Sequence, residues 1–319
     1  MDLQMLHKRA DIIRQVRSFF DNKKYLELDT PLLCRDLIPE SCLEVFQTER
    51  LFPRGSKKEK SPLYLIPSPE IWMKKIIASF NVNVYQVCKC FRNGESEGHL
   101  HNYEFTMLEY YTMGANYTDS LALTEELFIY LSENERYTPF ERITSAEAFK
   151  KWAGFDLRQT AEEGADSMAA QARRLGLDPM PAMTVQELYD LIFIHAVEPR
   201  LKFNKPAALV DYPAFVPCLA KKSPDGRTLE RWELYYNGIE LANCYSEETN
   251  PAQVKDFFIR EETEKNRSAV VKHKVDHDYW KLFGKKEQHF PDFSGVALGL
   301  DRLIMALTGK SRIDMVINV

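Results

Sequence analysis

A guanidinium and a carboxylate three residues apart carry the first chemical signal in this chain. Phe91-Arg92-Asn93-Gly94-Glu95 closes a run of β-forming residues, and Asn102 and Glu104 stand where the chain returns. An arginine so placed can clamp a phosphate or carboxylate through two parallel hydrogen bonds, and a carboxylate beside it can read an amine. A surface Arg–Glu pair is the plainer alternative. Gly299-Leu300-Asp301-Arg302 sets a second arginine at a strand-to-helix junction. A cation is unfavourable beside the positive end of a helix, and an anionic ligand there would remove the objection. Glu240 alternates with apolar neighbours, so its carboxylate enters a largely buried surface and needs a protein arginine, a metal or a cationic ligand. Cys88-x-Cys90 with His99-x-His101 has the ligand types of a zinc site. The cysteines lie in an apolar strand, without the turn-forming Cys-x-x-Cys spacing, and we expect no zinc. The chain has no Gly-x-x-x-x-Gly-Lys phosphate loop, Gly-x-Gly-x-x-Gly fingerprint or Gly-x-Ser-x-Gly elbow. Any nucleotide must be held by side chains on a sheet.

The elements that position these groups are marked by period and punctuation. Ile12, Ile13, Val16, Phe19 and Phe20 recur at helical spacing within Leu6–Phe20, and Leu26 to Leu33 follow as a short extended piece around Pro31. Ser68-Pro69-Glu70 offers a cap, a proline for the first turn and an acid at the positive end, which predicts a helix from Ser68 or Pro69 to Ala78. Val84–Phe91 and Tyr103–Tyr111 are rich in β-formers and predict an antiparallel pair, joined by a long polar loop from Asn93 to Asn102. Residues 117–200 read as mostly helical. Asn237-Gly238 between two apolar runs is a strong hairpin signal. A polar helix follows from Pro251 to Arg267. Gly295–Gly299 then reads as a strand, and Leu300–Leu307 as a helix stopped by Gly309. Strands bunch without a βαβ rhythm, which predicts an α+β fold on a mainly antiparallel sheet flanked by helices.

Composition narrows the class. The chain has 319 residues, 45% hydrophobic and 12% aromatic, which is too much apolar material for a disordered chain. No stretch approaches the roughly 20 apolar residues of a membrane span. The start Met1-Asp2-Leu3 lacks the features of a secretory leader, and six scattered cysteines do not make a disulfide scaffold, so we expect a reduced, cytoplasmic protein. The 42 basic and 47 acidic residues sum to −5, the wrong sign for a nucleic-acid-binding face. The one dense basic run, Lys57-Lys58-Glu59-Lys60, reads as a solvated loop tip.

Taken in order, these segments resemble the catalytic domain of class II aminoacyl-tRNA synthetases, in its lysyl branch. Leu28-Asp29-Thr30-Pro31-Leu32 is similar to the first class motif, Phe91-Arg92-Asn93 through Thr106-Met107-Leu108-Glu109 to the second, and Gly295 through Leu303 to the third. Gly238-Ile239-Glu240-Leu241-Ala242-Asn243 is similar to the lysyl signature. The resemblance covers nearly the whole chain. It implies one catalytic domain over 1–319, with a mostly helical insertion around 117–230 and no anticodon-binding domain. Within the lysyl branch the chain looks like the stand-alone enzymes that ligate (R)-β-lysine to elongation factor P, and Ala297 fits them, since the tRNA-charging branch typically has glycine there. The resemblance implies ATP and Mg²⁺, a lysine or β-lysine substrate, elongation factor P rather than tRNA as acceptor, and a homodimer. A minimal synthetase charging tRNA or another carrier and a non-catalytic paralogue are the other readings.

Residue by residue, the resemblance gives Arg92 the α-phosphate and the substrate carboxylate, and Asn93, Glu95, Asn102, Leu241 and Gly299 the rest of the nucleotide, with Glu95 on the adenine amine. Arg302 would face the γ-phosphate and Glu240 the metal. Arg92, Glu240 and Arg302 form the catalytic set, while Ser68, Glu70, Tyr111, Glu247 and Ala297 line the amino-acid pocket. Two departures stand out. Gly94 is inserted before Glu95, and Cys244 stands where small residues are usual.

Overall fold

The computed structural model describes residues 2–53, 60–95, 98–132, 137–284 and 290–317. Of the basic run, Lys57, Lys58 and Glu59 fall outside the described residues. In chain order the main elements are α1 (Leu3–Asn22), β1 (Leu26–Glu27), β2 (Leu33–Cys34), β3 (Gln47–Leu51), β4 (Lys60–Leu65), α2 (Glu70–Phe80), β5 (Val84–Phe91) and β6 (Glu104–Met113). There follow α3 (Tyr117–Ser132), β7 (Glu141–Thr144), α4 (Ser145–Ala148), α5 (Leu157–Glu163), α6 (Ala165–Arg174), α7 (Val185–Ile192), β8 (Ala207–Pro213), β9 (Thr228–Tyr236) and β10 (Ile239–Ser246). The chain continues with α8 (Pro251–Ser268), β11 (Phe293–Gly299) and α9 (Leu300–Thr308). It divides into two compact units, Met1–Ala115 with Glu247–Val319, and Asn116–Ser246.

In the first unit the strands run β1-β5-β6-β11, with a smaller sheet β2-β4-β3. β5 and β6 are antiparallel from Val84↔Tyr111 to Phe91↔Glu104, and β11 pairs antiparallel with the other edge of β6. β1 joins β5 in parallel. Helix α1 buries Ile12, Val16, Phe19 and Phe20, and Phe20 stacks on Tyr85 at 4.9 Å between ring centroids. Helix α2 begins where the Ser68 hydroxyl accepts the Glu70 N–H (3.0 Å), and it ends at Asn81 in the left-handed conformation.

One buried carboxylate locks the junction that carries Arg302. Asp301, 2% exposed in its side chain, accepts the Thr106 backbone N–H at 2.6 Å, and the Arg9 guanidinium lies 2.6 Å from its other oxygen. Helix α9 is thereby tied to β6 and α1. Removing one partner of a buried ion pair strands the other, so Asp301→Ala should cost about 3–5 kcal/mol in urea unfolding. An unchanged midpoint would contradict this account.

In the second unit the order is β10-β9-β8-β7. The Asn237-Gly238 turn has positive φ at both residues (52° and 77°), as a tight hairpin demands, and it joins β9 to β10. Helices α3 to α7 fill most of 117–200. Phe149, Tyr189, Ile192 and Leu209 are buried together in this unit's core. Strands β7 and β8 run in parallel within the insertion expected around 117–230 to be mostly helical. Ala207-Ala208-Leu209-Val210 is short and alanine-rich, which hides a strand from any propensity argument. Among the described residues no helix is long and apolar enough to cross a membrane.

Candidate active site

The first unit gathers a set of carboxylates on one face of β6 and β11. Pairing places Gly295 opposite Tyr111 and Ala297 opposite Glu109, so all four project into one neighbourhood. Glu247 enters the same place because its N–H donates to the Phe293 carbonyl (2.9 Å). A Cβ built on Gly295 would sit 2.3 Å from Tyr111 Cε1 and 2.5 Å from Glu247 Oε1, so only glycine leaves these two side chains where they are. The Ser68 hydroxyl donates to Glu109 Oε1 (2.6 Å), and the Tyr111 hydroxyl donates to Oε2 (3.1 Å). On the other flank of Glu109 stands Gln86, buried, its Oε1 without a hydrogen bond among the described residues. The ammonium of Lys74 bridges Glu70 and Glu247 at 2.5 Å each. Ser68, Glu70, Tyr111, Glu247 and Ala297 thus lie in one neighbourhood.

Two members of this cluster had no role in that reading. Lys74 follows Glu70 by four residues on α2, an ion-pair spacing that was legible, but its burial depends on Glu247, 173 residues away. Glu109 lies within the second motif, and its alternation with Leu108 and Tyr110 was the available signal.

Burial, reinforced by the charge on Glu70, pushes the Glu109 carboxyl up to about 8, against the hydrogen bonds from Ser68 and Tyr111. Glu109 is therefore mostly a neutral acid at pH 7. Burial raises Glu247 too, opposed by Lys74. For Lys74, burial acts to lower the value, but Glu247 and Glu70 outweigh it and keep the ammonium charged. Since the folded state holds the Glu109 proton above its ordinary value near 4.5, this residue's contribution to stability falls as pH rises from about 4.5 to about 8. Glu109→Gln should flatten that decline, and thermal melts of both proteins at pH 5, 6.5 and 8 read it directly. Identical pH slopes would contradict the assignment.

The nucleotide-side residues lie at the end of the β5–β6 pair. Arg92 donates its backbone N–H to Tyr103 O (3.0 Å), and its guanidinium lies over the Phe105 ring at 5.3 Å and 3.6 Å from Glu95. Its Nε is buried with no hydrogen-bond partner among the described residues, which suits an anion. Asn93 is held to Glu44 O (2.9 Å), and its side chain accepts the Gly94 N–H. Gly94 has φ +72°, so the inserted residue takes a conformation that favours glycine. Glu95 also meets His101 at 3.0 Å, a contact that, with Arg92 and Arg302, holds its carboxyl below the usual range. Asn102 donates to Glu104 O (2.8 Å). Arg302 reaches Leu100 O at 3.3 Å and lies 3.4 Å from each ring nitrogen of His101. Gly299 caps α9 at the end of β11. Arg92, Glu95, His101 and Arg302 therefore form one linked group.

Glu240 and Leu241 lie on β10 in the second unit, with Glu240 opposite Tyr235 at an irregularity in the ladder. Cys244 is buried on the same strand. Cys88 and Cys90 are neighbours at 3.9 Å, whereas His99 meets Arg312 and His101 meets Glu95. Among the described residues no three His, Cys, Asp or Glu side chains converge as a metal cage.

Comparison with known proteins agrees with this arrangement. The family model described as tRNA synthetases class II (D, K and N) matches residues 2–318. The chain is 35% identical over 315 residues to a Vibrio atlanticus protein named elongation factor P–(R)-β-lysine ligase, covering 98% of this chain and 94% of that one. It is 36% identical over 317 residues to the protein of that name from Vibrio cholerae, with the same coverage. A third of that name, from Avibacterium paragallinarum, is 33% identical over 316 residues, 99% of this chain and 94% of its own. A match over residues 2–318, on an antiparallel sheet with one arginine at the end of β5 and another opening α9, places this chain in the class II tRNA synthetase family (D, K and N).

Proposed function

We propose that this chain is a ligase that activates (R)-β-lysine with ATP and attaches it to a lysine ε-amine of elongation factor P. The observation that carries this reading is the cluster in which Glu70 and Glu247 meet on Lys74 under Tyr111, with Ser68 and Tyr111 bonded to Glu109. A substrate with two ammonium groups needs carboxylates to receive them, which Glu70 and Glu247 offer, and its own carboxylate needs a cation, which Arg92 offers. The names of the three relatives point to the same acceptor.

Chemistry here is mostly positioning. The substrate carboxylate is already ionised and needs no general base to attack the α-phosphorus, with release of pyrophosphate. Arg92 would hold the carboxylate and the α-phosphate together and offset the charge that gathers there. Glu70, Glu247 and Tyr111 would orient the amines, with Ser68 fixing Glu109. Arg302 would meet the γ-phosphate, and Glu95, Asn93, Asn102, Leu241 and Gly299 the rest of the nucleotide. Mg²⁺ bound by phosphate oxygens and water needs only one or two protein carboxylates, and Glu240 would provide one; the ion would neutralise phosphate charge. In the second step the acceptor amine attacks the activated carbonyl and AMP leaves. We read the two units as parts of one catalytic domain, working as a homodimer in the cytoplasm.

Amino-acid-dependent ATP–pyrophosphate exchange tests this reading. Exchange should be supported by (R)-β-lysine in preference to lysine. Preference for lysine would indicate a minimal synthetase, and no exchange with either would indicate a non-catalytic paralogue.

A further inference from the structure

Lys74 is a buried cation with no place in the proposed chemistry. Its side chain is 2% exposed, it lies under the Tyr111 ring at 5.8 Å, and its ammonium touches Glu70 Oε1 and Glu247 Oε2 at 2.5 Å each. Burying an ammonium costs several kcal/mol before pairing, and a methionine would fill the same space without that cost. Its retention in the pocket therefore calls for a use.

The geometry supplies one. Lys74 takes a single oxygen from each carboxylate. The other oxygen of Glu247 lies against Gly295, on the face of the sheet that carries Tyr111. Two oxygens on one nitrogen can be no further apart than twice the contact distance, so Lys74 limits how far apart the two carboxylates can stand. Without the cation, two buried like charges at this spacing would separate or share a proton. A ligand's ammonium groups are thus read by carboxylates whose separation is set from behind.

We propose that Lys74 is a positioning residue that sets the pocket's preference for the spacing between two ammonium groups, by clamping Glu70 to Glu247. The ligand class is a diamino carboxylic acid. Moving the amine from the carbon next to the carboxylate to the following one shortens the path between the two nitrogens by one bond. A clamp that holds the carboxylates close matches the shorter diamine. This inference rests on the proposed function, because it assumes that Glu70 and Glu247 meet the substrate.

The test is pyrophosphate exchange by the full chain with (R)-β-lysine and with lysine. Lys74→Met keeps the side-chain volume and removes the charge. It should lower the ratio of kcat/KM for β-lysine over lysine by about tenfold, through KM for the amino acid, with KM for ATP unchanged. Lys74→Ala should show the same loss, partly reversed by added methylammonium, which a purely space-filling role would not permit. Lys74→Arg retains the charge on a longer side chain and should loosen the preference without abolishing exchange, which keeps the test available if the neutral variants do not fold. A ratio unchanged in folded Lys74→Met or in Lys74→Arg overturns the inference while leaving the proposed function standing. Failure of the unaltered protein to exchange with either amino acid overturns the proposed function itself.

Discussion

Arg92→Ala is expected to lower kcat/KM for amino-acid-dependent pyrophosphate exchange by about a thousandfold. The guanidinium extends from the end of β5 across the Phe105 ring, and Glu95 stands 3.6 Å from its charged end, longer than a well-formed ion pair. Its Nε is buried and, among the described residues, unpartnered. A buried donor without an acceptor is a cost in the free protein that an anion would relieve, so most of its value should appear in the transition state, where charge gathers on the α-phosphate. The loss should therefore fall on kcat as well as on KM. Arg92→Lys keeps the charge but not the two-pronged geometry and should recover only a small part of it. Because Arg92 touches neither the Asp301 lock nor the core, melting temperature should barely move. A loss confined to stability, with kcat intact, would contradict the assignment.

Gly295→Ala is the second large effect. Its added methyl would stand 2.3 Å from Tyr111 Cε1 and 2.5 Å from Glu247 Oε1, both closer than carbon contacts normally allow. Neither neighbour yields cheaply. Tyr111 is buried and bonded to Glu109, and Glu247 is tied to Lys74. The pocket must deform, and KM for the amino acid should rise by at least about a hundredfold, whereas KM for ATP should change little. Ala297, two residues along the same strand and on the same face, already carries the methyl that Gly295 lacks. Ala297→Gly should accordingly leave the protein folded. Gly295→Ala with ordinary amino-acid kinetics would show that substrate does not enter between Tyr111 and Glu247.

The residues that made the fold legible were those whose reasons are local. The aromatic and β-branched runs at 84–91 and 104–111 marked the central pair, Asn237-Gly238 can form its turn almost wherever it occurs, and Gly309 stops α9 in the left-handed conformation. Strands β7 and β8 escaped because each is short and opens on residues with little strand preference, Glu141-Arg142 and Ala207-Ala208, so that pairing with neighbours decides their state. The pocket divides the same way. Ser68 and Glu70 could be placed by the helix start they create. Lys74 could not, since a lysine four residues after a glutamate is ordinarily a solvated surface pair, and only the arrival of Glu247 turns it into a buried bridge. The neutrality of Glu109 likewise depends on burial by elements distant in sequence, and Glu95 proves to be held by His101, across the loop that Gly94 lengthens. Distance-dependent electrostatics was the part that no local pattern carried.

The central claim is that the activated amino acid goes to a protein rather than to an RNA. The most direct measurement incubates the full chain with ATP, Mg²⁺ and labelled (R)-β-lysine in the presence of purified elongation factor P and of tRNA, and follows the label on each. The account predicts label in amide linkage to a lysine of elongation factor P and none on tRNA. Label on tRNA, with elongation factor P unmodified, would contradict it.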